Sequence, residues 1–108
     1  MKNLINLFDQ LNWEKATNYP EGTFKKTLRD ENGAQTILLK MPAGFRMELH
    51  SHITTEQNLV LEGSLTFDGK TYNKGSYQLF NAHESHGPFY SKDGALVLVI
   101  WDPYEIAE

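Results

Sequence analysis

The sequence predicts one all-β domain, a sandwich or barrel of short strands. Two observations predict it. Short strand-like segments follow one another from Phe24 onward, separated about every 8–12 residues by turn signals built on Gly, Asn, Asp or Pro. The last of them, Ala95–Trp101, is apolar at nearly every position, where a half-exposed strand would alternate. Such a strand is covered on both faces, by the barrel interior and by an N-terminal arm or a second subunit. At 108 residues the chain has room for a single modest core. With 40% hydrophobic and 22% charged residues it is too apolar to be disordered.

The elements follow in order. Residues 4–11 carry Leu4, Phe8 and Leu11 at helix-like spacing, which predicts a short N-terminal helix or arm packed on the domain edge or on a neighbouring subunit. Trp13–Gly22, rich in Asn, Pro and Gly, reads as an irregular lead-in, so residues 1–22 are expected to precede a barrel domain over 23–108. Phe24–Arg29 and Gln35–Met41 form a hairpin around Asp30-Glu31-Asn32-Gly33, since Asn-Gly readily takes positive φ. Pro42-Ala43-Gly44 turns the chain into a strand over Phe45–His52. Gln57–Leu61, Ser64–Phe67, Ser76–Phe80 and Ala95–Trp101 complete the set, with turns at Glu62-Gly63, Asp68-Gly69, Lys74-Gly75 and Asp93-Gly94.

Charge and composition exclude several function classes. Ten basic residues stand against fourteen acidic ones, a net charge of −4, and the densest basic group is only Lys25, Lys26 and Arg29. Nucleic-acid binding needs a basic stripe, and a membrane-surface anchor needs a polybasic cluster; neither is visible. The expected partners are a small-molecule substrate or ligand and another copy of the chain, as a homodimer. The absence of cysteine removes disulfides, thiolate ligands and a cysteine nucleophile together. Asn3, Asn6 and Asp9 interrupt the apolar residues of the first segment, unlike a signal peptide, and no apolar run reaches membrane-spanning length. A cytoplasmic location is expected.

The residues that carry chemistry are His50, His52, Glu56 and His86. His50 and His52 stand two apart on a predicted strand, so both imidazoles face one side. Glu56 follows across Ile53-Thr54-Thr55, where the chain can turn, and His86 comes thirty residues later. Three imidazoles and a carboxylate suit one borderline divalent transition metal ion: Fe, Mn, Zn, Ni or Co. Four protein ligands leave two positions open on a six-coordinate ion, as a catalytic metal requires.

The spacing of these residues resembles the cupin family. Gly44, five residues, His50, one, His52, three, Glu56, six and Gly63 reproduce the fixed positions of the first cupin motif. The second motif is matched at Gly75 and at His86, on its ligand position, while Asn81 and His83 stand where the family usually has Pro and Gly, and Tyr90 where it has Asn. The resemblance spans about Phe24 to Pro103 and implies a double-stranded β-helix, or jelly-roll, barrel with His50, His52, Glu56 and His86 on the metal. His86-Gly87-Pro88-Phe89, Gly94 and Trp101-Asp102-Pro103 are similar to cupin domains found alone or fused to zinc-dependent anti-sigma factors. That similarity implies a sensing role as an alternative to catalysis.

Further residues qualify the site. His83 is an alternative ligand, a proton shuttle or a solvent-facing loop residue. Arg46 and Glu48 share strand parity with His50 and are expected to point inward, unless a bulge after Gly44 reverses them. Oxalate-degrading cupins carry Arg where this chain has Met47, which argues against oxalate as substrate. Asn58 and Val60 continue the inward parity of Glu56, and Tyr77, Phe80, Phe89, Tyr90 and Trp101 supply an apolar wall or core. No general base stands out, which favours reactions driven by the metal. The expected function is dioxygenation of a diketone, enediol or hydroxyketone; a metal-dependent isomerase or lyase, a non-catalytic ligand-binding or oxidant-sensing module, and a storage protein are the alternatives.

Overall fold

The computed structural model describes residues 4–48, 51 and 53–103. Among them are nine strands and no helix: β1 Glu14–Lys15, β2 Phe24–Glu31, β3 Ala34–Met41, β4 Phe45–Met47, β5 Glu56–Phe67, β6 Lys70–Asn73, β7 Tyr77–Phe80, β8 Phe89–Ser91 and β9 Ala95–Trp101. All pairings are antiparallel, in the order β1-β2-β3-β9-β5-β8-β4, with β6 and β7 also on β5. The sheet curls into a jelly roll around one core.

The curl depends on β5. Residues 56–63 pair with β7 and β9, and residues 64–67 pair with β6, with Thr66 also opposite Tyr90 of β8. One strand therefore belongs to two sheets. The changeover falls at a register shift between Val60 and Glu62, followed by Gly63 at φ 75°. A bulge and a left-handed glycine bend a strand sharply enough to turn a barrel corner. Glu62-Gly63, expected as a turn between two strands, is that bend within one strand of twelve residues.

Inward side chains from adjacent strands line up in rows. Leu39, Val97 and Val60 are in register across β3, β9 and β5, and each is at most 3% exposed. With Ile37, Met41, Phe45, Leu65, Phe80, Phe89 and Val99 they form the core. Apolar burial on this scale supplies most of the stability of so small a domain.

The first described residues meet the outer face of the sheet at β2, and Leu4, Phe8 and Leu11, expected to pack, are exposed. Residues 4–11 form no helix; they run as an arm, with a turn closed by Asp9 N–H on the Asn6 carbonyl. The i, i+3, i+4 spacing of so short a segment cannot repay helix nucleation alone. Lys26 of β2 points outward, donates to the Asp9 carbonyl at 2.9 Å and lies 5.0 Å from the Trp13 ring. Leu38, on the same outer face, is fully buried although it lies outside the core cluster. Leu98 and Ile100 of β9 remain half-buried there. Among the described residues no helix is long and apolar enough to cross a membrane.

Candidate metal centre

The site is built at one rim of the barrel, where three strands end together. Gln35 of β3, Trp101 of β9, Glu56 of β5 and Phe80 of β7 are successive partners in register, so their side chains share the inner face. The Trp101 indole N–H donates to Glu56 Oε1 at 2.8 Å and fixes the carboxylate's orientation. His86 arrives from the connection between β7 and β8. Its ring stacks on Phe80 at 4.4 Å and 30°, and Phe89 lies 5.7 Å away. His86 Nε2 stands 3.9 Å from Glu56 Oε1, and both side chains are almost fully buried, at 5% and 6% exposure.

That separation is too long for a hydrogen bond. It lies within the span of about 3–4.2 Å open to two donor atoms that each sit 2.0–2.2 Å from a shared ion. A buried carboxylate is costly unless a positive charge compensates it, and a divalent cation between carboxylate and imidazole does so. The donor chemistry therefore fits a borderline transition metal. His50 and His52 lie outside the described residues. Of the four expected ligands, Glu56 and His86 are brought together, and among the described residues no group of three His, Asp or Glu side chains forms a site.

The loop that delivers His86 keeps a sharp turn in spite of its unusual residues. His83 has φ 68°, the left-handed conformation natural to the glycine expected there, while Asn81 donates from Nδ2 to Glu84 Oε1 and accepts the Glu84 N–H at its carbonyl oxygen. His83 is exposed, on the solvent side of the loop.

Two cavities meet at this rim. A void of about 30 Å³ inside the barrel is lined by Glu56, Asn58, Met47 and Tyr19 among others. A wider cavity of about 420 Å³ opens at the mouth, lined by Tyr19, Lys25, Ile37, Met47, Thr54 and Trp101 with neighbours. Tyr19 and Met47 form the wall between them. Asn58 Oδ1 is buried and has no hydrogen-bond partner among the described residues, which leaves an acceptor next to the void.

Burial, and secondarily the Glu56 carboxylate, push the Tyr19 hydroxyl from 10.0 up to about 12. The phenol is thus a neutral hydrogen-bonding group at physiological pH and no base. Because the folded value exceeds the unfolded one, the unfolded chain loses this proton first. The contribution is complete below pH 10.0 and is lost as pH rises to about 12. Tyr19→Phe is expected to make the alkaline fall in stability shallower over that window, read from denaturant midpoints between pH 9 and 12; identical slopes would contradict the assignment.

Several expectations are corrected by strand direction. Phe45 and Met47 point inward on β4, so Arg46 and Glu48 point out, exposed, with Arg46 Nε 3.4 Å from Glu48 Oε1. The turn at Gly44, φ 81°, sets this parity. Tyr77 is on the outer face, bonded through its hydroxyl to Gln57 Oε1 at 2.6 Å, and Tyr90 is likewise exposed, so neither lines the site. Phe80, Phe89 and Trp101 do. Tyr19 and Lys25 had no motif to reveal them. Lys25 faces inward because its exposed neighbour Phe24, apolar as it is, does not.

A family model described as the ChrR cupin-like domain matches residues 2–105. No curated protein matches by sequence. Among solved structures, the chain is similar to one in the complex of Rhodobacter sphaeroides SigE with the anti-sigma ChrR, at a TM-score of 0.71 and 19% identity, covering 88% of this chain and 51% of that one. This chain thus spans about half of that relative. An RmlC-like cupin from Shewanella frigidimarina NCIMB 400 matches at 0.74 and 19% identity, over 89% and 86% of the two chains. A putative acetylacetone dioxygenase from Methylibium petroleiphilum PM1 matches at 0.76 and 19%, over 94% and 77%. At these identities the likeness speaks for the fold alone.

Proposed function

The chain belongs to the ChrR cupin-like family, and on that premise we propose that it is a metal-dependent enzyme of small oxygenated molecules. His50, His52, Glu56 and His86 hold one divalent transition metal ion, and the reaction is dioxygenation of a diketone, enediol or hydroxyketone. The observation that carries this reading is the buried Glu56–His86 pair, whose Glu56 lines the void of about 30 Å³ and is held by Trp101, a residue in the wall of the cavity of about 420 Å³. A structural site would be closed, whereas a catalytic one is open to a ligand.

When bound, the metal supplies Lewis-acid polarisation of an oxygenated ligand and, as iron, access to dioxygen chemistry. The chain's own residues do the rest. Trp101 holds the Glu56 carboxylate in one orientation through its indole N–H. Phe80 and Phe89 hold the plane of His86. Met47, Ile37 and Trp101 present apolar surface in the mouth and limit water. Tyr19, neutral at physiological pH, orients an oxygen by hydrogen bonding and removes no proton. The reading includes a homodimer formed on the outer face, where Leu98 and Ile100 are only half-buried.

The test is oxygen uptake by iron-loaded protein over a panel of diketones and hydroxyketones, after metal analysis of protein purified without chelators. Turnover with at least one member is expected. No turnover in a fully loaded sample overturns the enzyme and favours a metal-dependent sensing module, the second reading, which the match to the ChrR cupin-like domain supports.

A further inference from the structure

We propose that the mouth cavity takes its ligand by a carboxylate, with Lys25 as counter-charge and the Tyr19 hydroxyl as second anchor, so that the substrate class is a small 2-oxo or 2-hydroxy carboxylic acid. This names, among the small oxygenated molecules proposed above, a class that carries a carboxylate beside the oxygenated carbon, and rests on that reading for the metal alone.

Strand direction provides the first argument. Lys25 is opposite Leu39, which is opposite Val97, and both of these are core residues, so Lys25 stands on the inner side of the sheet. The adjacent Lys26 is on the other face, engaged with the Asp9 carbonyl and Trp13. Two neighbouring lysines thus have separate surroundings, and only the first belongs to the cavity wall.

Charge favours the same ligand. Lys25 is half-buried, and among the described residues it has no ion-pair partner. Glu14 lies opposite it in register on β1 yet makes no ion pair within 4.0 Å. Among the described residues lining the cavity, Lys25 is the one charged side chain. A positive wall in a chain of net charge −4 is a local reversal of sign, and it draws an anion to this mouth against the field of the whole protein.

Shape and donor type agree with it. Tyr19 is in the same wall, and among the described residues its hydroxyl has no hydrogen-bond partner. A single ammonium with one hydroxyl matches a carboxylate. A phosphate group, which a lysine also meets as a point charge, ordinarily needs further donors from an arginine fork, a helix N-terminus or a nest of backbone N–H groups. Ile37, Met47 and Trp101 accommodate a short carbon chain, and about 420 Å³ is a volume suited to a small ligand. The oxygen on the second carbon of such an acid is adjacent to its carboxylate, on the wall where Tyr19 borders both this cavity and the void lined by Glu56.

Calorimetric titration of the full chain tests this, with 2-oxobutanoate and neutral pentane-2,4-dione as probes and with metal content measured in each sample. Lys25→Gln is expected to weaken 2-oxobutanoate binding about tenfold, the scale of one charge-assisted contact, and to leave pentane-2,4-dione unchanged. Lys25→Arg should restore most of the loss, and added NaCl should erode it in the wild type. Lys25→Met, which keeps the aliphatic stem, must behave as Lys25→Gln does. Equal effects on both probes, no effect on either, or no 2-oxobutanoate binding at millimolar concentration overturns the proposal. Protein that takes up no divalent metal yet still binds the acid through Lys25 overturns the metal reading and leaves this one standing. Metal-loaded protein indifferent to Lys25 does the reverse.

Discussion

Replacing His86 by Ala is expected to lower affinity for a divalent transition metal by more than about 100-fold. A ligand that orients another ligand typically contributes 10–100-fold, and a direct donor contributes more. Trp101→Phe provides the graded comparison. It keeps the aromatic body and removes the N–H that Glu56 Oε1 accepts at 2.8 Å, so a loss of about 10–100-fold is expected. Competition with a chromophoric chelator measures both. His86 is also packed against Phe80, so His86→Gln, which fills more of the space, separates loss of a donor from loss of packing. Unchanged affinity in His86→Ala would remove His86 from the ligand set, and equal losses in His86→Ala and Trp101→Phe would demote it to an orienting role.

Gly63→Ala is expected to destabilise the fold by about 2–5 kcal/mol, combining a left-handed backbone of about 1–2 kcal/mol with an overpacking cost of about 1–3 kcal/mol. Gly63 sits at φ +75°, and a Cβ there would overlap the Gly94 carbonyl oxygen and lie 2.9 Å from Ala95 Cα. Both obstacles are backbone, on the strand paired with this bend, so neither can turn aside. Gly44 is the control. Its φ is +81°, but nothing lies within 4 Å of a Cβ, so Gly44→Ala should cost only about 1–2 kcal/mol. Urea unfolding of the two variants measures the difference. Equal losses would show that φ alone, without the close approach to β9, explains the glycine at position 63.

The effects differ because the glycines of the first motif do different work. Spacing alone treats Gly44 and Gly63 as equivalent markers. Only the pairing of Gly63 with Ala95 shows that one of them is held by its neighbour as well as by its torsion angle.

Much of the barrel, and the approach of two candidate ligands, were legible in the chain itself. Turn chemistry at Asn32-Gly33 and Asp68-Gly69 and the apolar run Ala95–Trp101 depend on local torsion and burial preferences, which a sequence states directly. The spacing of Glu56 and His86 within the motifs identified two residues that the fold does bring to 3.9 Å. Tertiary structure decided what depends on neighbours distant in sequence. Parity shared with His50 and His52 predicts Arg46 and Glu48 inside the barrel, yet Phe45 and Met47 take the inner face, because the turn at Gly44 sets which side chain enters. Tyr19 reaches the Glu56 void from a lead-in with no periodic pattern, and Lys25 faces inward although Phe24 beside it is the more apolar residue. A sequence specifies which side chains can form strands and hold a metal. Which of them share a wall is settled by register across β2, β3, β9 and β5, a sum of many pairings that no single segment encodes.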